Sequence, residues 1–196
     1  MDAQVIVAVF AVIGAGLKYI DEAFDEETFS RRSATYLAGV ILALWVGLSL
    51  LDSSSGTILL SILLGVLLTG KIDNKVFGLS TAGIFGSFVF LQKVLMLPLL
   101  FLSAAGVIDE KGNDYVDSHR SNRILQFFFL HRFTMKIGVS LLCLSGVFAW
   151  HYLVAFLLFD ASYDAVGIIS QAHKEEMVLE NKHASEDIPP THCVTA

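Results

Sequence analysis

Residues 137–159 read IGVSLLCLSGVFAWHYLVAFLLF. The stretch carries no Asp, Glu, Lys or Arg. A helix needs about 20 apolar residues to cross the roughly 30 Å hydrocarbon layer of a bilayer, so this run reads as a transmembrane span. Working outward, 3–20 (AQVIVAVFAVIGAGLKYI), 34–51 (ATYLAGVILALWVGLSLL) and 56–70 (GTILLSILLGVLLTG) have the same character. No apolar–polar alternation of the β-barrel kind appears, so the expected fold is all-α, a polytopic helical bundle.

Composition agrees. Of 196 residues, 55% are hydrophobic and 16% charged, and the mean hydropathy is +0.66. A soluble domain runs near 45–50% apolar and about 25% charged. A disordered chain, a nucleic-acid binder and a disulfide scaffold are excluded, the last because Cys143 lies in an apolar run and Cys193 in a polar tail. The chain opens Met1-Asp2 with no base before Lys18, so 3–20 reads as a permanent first span and not as a secretory signal. The partner is membrane lipid.

Residues 77–108 admit two readings. As spans 77–91 and 94–108 they turn at Gln92-Lys93 and give six crossings. As one long helix kinked at Pro98 they give five. Charge favours six. One side then collects Lys18, Arg31, Arg32, Lys71, Lys75, Lys111, Arg120, Arg123, Arg132 and Lys136, against Lys93, Lys174 and Lys182 on the other. Basic residues concentrate in cytoplasmic loops. Six spans place loop 109–136 in the cytoplasm and both termini outside; five place the C-terminus in the cytoplasm. Residues 1–170 form the membrane domain, and 171–196 read as a polar, mobile tail.

Three apolar runs end alike: Ile20-Asp21-Glu22, Ile72-Asp73-Asn74 and Ile108-Asp109-Glu110. An acid at a helix C-terminus opposes the helix dipole, so three of them call for a compensating cation. Asp21 and Asp25 share a helical face if the helix continues, with Glu22 beside them. Carboxylates are natural Mg²⁺ ligands, and Arg31, Arg32, Lys71 and Lys75 nearby are suited to phosphate oxygens. The expected metal ligands are therefore Asp21, Glu22, Asp25, Asp73, Asn74, Asp109 and Glu110, with those four bases as the phosphate-binding groups. His151, deep in 137–159, is the candidate catalytic residue and should face the bundle interior.

Other features are structural. Residues 109–120 (DEKGNDYVDSHR) read as a polar loop without EF-hand spacing. Residues 124–138 (ILQFFFLHRFTMKIG) read as an interfacial amphipathic helix. Gly14, Gly16, Gly83, Gly86 and Ser87 suit close helix packing. Asp160 and Asp164 discriminate the topologies: six spans put them on the far side from Asp21, five put them beside it.

The function these features imply is a small membrane enzyme acting on a lipid-linked phosphate or diphosphate at the cytoplasmic edge, with Mg²⁺ as cofactor. The alternatives are a cation transporter or channel and a non-catalytic membrane subunit. An enzyme needs its polar groups convergent at one edge. A transporter needs them to continue through the bilayer.

Overall fold

The computed structural model describes residues 1–70, 78, 81, 83–84, 94–119 and 122–186. Among these residues there are seven helices and no strand: α1 (Ala3–Phe24), α2 (Arg31–Leu51), α3 (Ser53–Leu68), α4 (Met96–Ser118), α5 (Arg123–Leu130), α6 (Phe133–Leu144) and α7 (Trp150–Glu186). Asp73, Asn74, Lys71, Lys75 and the turn expected at Gln92-Lys93 lie outside the described residues.

Among the described residues three helices are long and apolar enough to cross a membrane: α1, α2 and the Trp150–Leu179 part of α7. Helices α5 and α6 together make a fourth if counted as one span, but they meet at a 60° bend. Among the described residues this is fewer than six; the expected span 77–91 lies almost wholly outside them, and the other differences have identifiable causes. The run 137–159 is not one helix. Helix α6 stops at Leu144, Gly146 adopts φ +75°, and the N–H groups of Val147 and Phe148 both donate to the Leu142 carbonyl. A left-handed glycine just past the last turn is a common helix stop. Its neighbours here are apolar, so hydropathy runs through the turn unbroken.

Helix α4 starts at Met96 after an extended Leu95, so 77–108 is not a single kinked helix either. Pro98 falls in the first turn of α4, where a proline is tolerated. At its other end α4 runs on to Ser118, so residues 109–118 are helical and not a loop. Likewise α7 stays helical to Glu186, through residues assigned on sequence to the tail.

Six of the described helices contact one another in turn: α1 on α2, α2 on α3, α3 on α4, α4 on α6, α6 on α7, and α7 back on α1. Small residues set the closest approaches. A Cβ on Gly14 would collide with the Phe159 carbonyl oxygen and lie 2.7 Å from Ser162 Oγ. Gly65 and Gly106 meet where α3 crosses α4. Without a hydrophobic drive between apolar helices in lipid, such close backbone contact is a main source of association.

The contacts also fix direction. Ser162 Oγ donates to Ala11 O at 2.8 Å, and Ser170 Oγ to Glu22 Oε2 at 2.7 Å, so α1 and α7 run parallel. Leu95 N donates to Thr57 Oγ1 at 3.1 Å, and Gly106 lies on Gly65, so α3 and α4 are also parallel. Helices α2 and α6 run the other way. One end of the bundle holds the start of α1, Asp52, Leu95 and the α6–α7 turn. Asp52 there caps α3 through Ser55 N at 2.7 Å and accepts the Tyr152 hydroxyl at 2.8 Å. The other, polar end holds every described Lys and Arg. Ala3 and Glu186 therefore lie at opposite ends, contrary to the six-span expectation, and Asp160 and Asp164 share the end of Asp21.

Gly14→Ala is expected to destabilise the protein by about 1–3 kcal/mol, because the obstacle is backbone. Gly39→Ala, at a position with nothing within 4 Å, should leave the melting temperature unchanged or raise it. Thermal unfolding in detergent compares the two.

Candidate functional site

The polar end is built from side chains that span helices. In the last turns of α1, Lys18 Nζ bridges Asp21 Oδ2 at 3.0 Å and Glu22 Oε1 at 2.8 Å. Glu22 is 6% exposed. Its other oxygen takes the Ser170 hydroxyl and the Lys174 ammonium at 2.9 Å, both from α7. Lys174 also reaches Glu26 at 3.2 Å. A buried carboxylate is tolerable only when paired and hydrogen-bonded, and Glu22 has both.

Asp109, 2% exposed, is used differently. Its Oδ1 accepts from Thr134 N at 3.0 Å and its Oδ2 from Met135 N at 2.8 Å. These are free donors in the first turn of α6. The N-cap residue of α6 is Arg132, in the left-handed region at φ 50°, and its side chain cannot serve. Asp109 thus caps α6 from another helix and places negative charge at its positive end. This removes the dipole conflict read from sequence, because α4 does not end at Asp109.

Farther along, Arg132 pairs with Glu110 at 3.4 Å, and Lys136 pairs with Asp160. The Tyr163 ring has Arg132 Cζ at 5.0 Å and Lys18 Nζ at 5.3 Å from its centre, so two cations from different elements gather on one aromatic ring. Between α1, α4, α5 and α7 these groups enclose a cleft of about 520 Å³. Its lining includes Lys18, Asp109, Glu110, Asn113, His131, Arg132, Tyr163, Asp164 and Gln171, together with the apolar Phe129, Leu130 and Ile168.

The residues singled out from sequence divide accordingly. Asp109 and Glu110 line the cleft, and Asp21 and Glu22 lie behind it, held by Lys18. Asp25 caps the C-terminus of α1 and is exposed. Arg31 and Arg32 are exposed at the start of α2; Arg31 pairs with Glu27 and neither lines the cleft. His151 sits in the first turn of α7 at the opposite end, its ring 4.1 Å from that of Tyr152, and is not brought to the other candidates. Among the described residues no three His, Cys, Asp or Glu side chains stand close enough to hold a metal ion.

Sequence reasoning missed Lys18, Arg132, Tyr163 and Asp164 as site residues. A signal was present. Asp160, Asp164, Gly167, Gln171 and Lys174 recur at helical spacing and mark one polar face of α7 beyond the apolar run. No family model, curated protein or solved structure matches the chain.

Two substitutions test these roles. Asp109→Ala leaves two N–H groups unpaired and should lower stability by about 1–3 kcal/mol, with Asp109→Asn milder. Glu22→Gln leaves Lys18 and Lys174 facing a neutral group. Lys18 keeps Asp21 and Lys174 keeps Glu26, so neither cation is stranded and the cost should be about 1–3 kcal/mol, comparable with that of Asp109→Ala. Chemical unfolding in mixed micelles measures both.

Proposed function

We propose that the chain is a multi-pass membrane enzyme whose site is the polar-end cleft, acting on the phosphate or diphosphate head of a membrane lipid. The observation that carries the reading is convergence: bases, acids and a tyrosine from three helices, α1, α4 and α7, and from the α5–α6 bend meet in one open cleft at one end. Lys18 and Arg132 supply the anion-binding donors. An ammonium has three and a guanidinium five, so their pairing with Asp21, Glu22 and Glu110 leaves donors over. His131, Glu110 and Asp164 are placed to take or give a proton beside them. In this proposal Glu110 and Asp164 would be the residues to hold a Mg²⁺ accompanying the phosphate, which would supply neutralisation of the phosphate charge. Asp21, Glu22 and Asp109 no longer serve as ligands, because Lys18, Lys174 and backbone N–H groups hold them.

A transport path would need polar side chains continuing toward the other end. Below the cleft the described bundle is filled by Phe10, Ile13, Phe156, Phe159 and Val139, all at most 2% exposed. This favours chemistry at an edge over passage through the bundle.

The polar end is proposed to face the cytoplasm, since every described base lies toward it. Single cysteines at residues 115 and 180 should then react with a membrane-impermeant thiol reagent only after the cells are opened, and one at residue 54 should react in intact cells. Labelling of residue 180 from outside would contradict the orientation.

The chemistry is tested by incubating the purified protein with Mg²⁺ and a panel of lipid phosphates and diphosphates and following release or transfer of the head group. Turnover of one member is expected. It should fall at least about a hundredfold in Arg132→Gln and in Asp164→Asn, as removal of a charge-stabilising or proton-transfer group does. Turnover unchanged by both substitutions would contradict the assignment of the cleft.

A further inference from the structure

The cleft has an asymmetry that bears on how its ligand arrives. Its inner wall is charged, but one mouth, between α5 and α7, has apolar lips. Leu130 on α5 and Ile168 on α7 both line the cleft, and they are 63% and 68% exposed. A mouth open to water gains nothing from two large exposed aliphatic side chains. Ile168 is also the end of a longer strip. Val154, Leu158, Ala161, Ala165 and Ile168 are all exposed and follow one another at intervals of four, three, four and three residues. Those intervals keep them on one face of α7, in a nearly straight line. The strip begins near the end of the bundle that holds Asp52 and runs directly into the cleft.

We propose that the cleft is loaded sideways from the lipid layer, and that its ligand is an anionic amphiphile. The head group sits against Lys18 and Arg132, and the acyl chain leaves between Leu130 and Ile168 and lies along the α7 strip. This rests on the assignment of the cleft as a phosphate site and adds the route and the chain. Charge complementarity fixes the head, because the cations lie inside the cleft and the strip outside it carries none. Continuity fixes the tail, because the apolar strip is unbroken from the bundle side to the cleft lip. A chain of about 15 residues of helix is some 22 Å long, enough to accommodate most of an extended acyl chain.

The test uses the full protein in a neutral detergent and three probes: a lysophosphatidic acid, glycerol 3-phosphate, and the monoacylglycerol with the same chain. Binding is read by thermal shift and by titration calorimetry. Lysophosphatidic acid is expected to bind at least about tenfold tighter than glycerol 3-phosphate, because each buried methylene adds to affinity. The monoacylglycerol should give no shift. The double substitution Leu130→Ser with Ile168→Ser should bring lysophosphatidic acid to within about threefold of glycerol 3-phosphate and leave glycerol 3-phosphate binding unchanged. Both side chains are exposed, so folding should survive; Ile168→Ala alone is the milder check and should lose part of the same preference. If glycerol 3-phosphate binds as tightly as lysophosphatidic acid, or if the substitutions leave the preference intact, sideways loading is wrong while the phosphate site stands. If the monoacylglycerol binds as well as lysophosphatidic acid, or if neither phosphate probe binds, the phosphate site falls and the proposal with it.

Discussion

The contact between α1 and α7 at Gly14 governs the arrangement of the molecule. Only a glycine lets the α1 backbone sit against the Phe159 carbonyl, and from that point the two helices run side by side in the same direction. Parallel packing of the first and last helices levels their residues: Ala11 with Ser162, Lys18 with Tyr163, Glu22 with Ser170 and Lys174. Charges separated by some 150 positions in sequence thereby become neighbours. Phe10, Phe156 and Phe159 fill the bundle immediately below, Phe10 packing edge-on against Phe159. The polar layer rests on an aromatic floor, and the more buried of its ion pairs, Lys18–Glu22 and Lys136–Asp160, are screened least.

The second constraint is Asp109. A carboxylate at the edge of an apolar run can hold a metal, pair with a base or cap a helix, and residue type alone does not choose among these. The structure spends Asp109 on two backbone N–H groups of α6, and so ties α4 to the α5–α6 bend. The bend in turn puts Arg132 over Tyr163 and sets the amphipathic α5 across the mouth of the cleft, with Ile124, Phe127 and Leu130 turned outward. The residue expected to bind an ion instead positions the cation that faces the cleft.

Much of this was legible in the sequence. The all-helical class followed from composition. The amphipathic character of 124–130 and the packing role of Gly14 and Gly16 followed from periodicity and spacing, but the single interfacial helix read over 124–138 is broken at His131-Arg132, and Lys174, expected on the side away from Lys18, shares its end. The topology did not follow, for two physical reasons. Hydropathy registers how apolar a stretch is and not where it turns, so Ser145-Gly146, flanked by apolar residues, left two antiparallel helices reading as one span. Helix α7 continues beyond Phe159 with an amphipathic pattern, and its acids read as the end of a span when they are one face of a continuing helix. Asp21 and Asp109, two of the three acids that follow an isoleucine, do share the polar end; the commitments that occupy them depend on partners from α6 and α7 and on Lys18, which spacing within a segment does not reveal.

The parallel pairing of α1 and α7 is tested most directly by distance. Spin labels placed at residues 3 and 151 in one sample, and at residues 24 and 151 in another, report which ends lie together in lipid nanodiscs. Twenty-one residues of helix separate positions 3 and 24 by roughly 32 Å. The account predicts a short distance for the 3–151 pair and one longer by roughly that helix length for the 24–151 pair. The reverse order would make the helices antiparallel and remove Lys18 from Tyr163 and from the cleft.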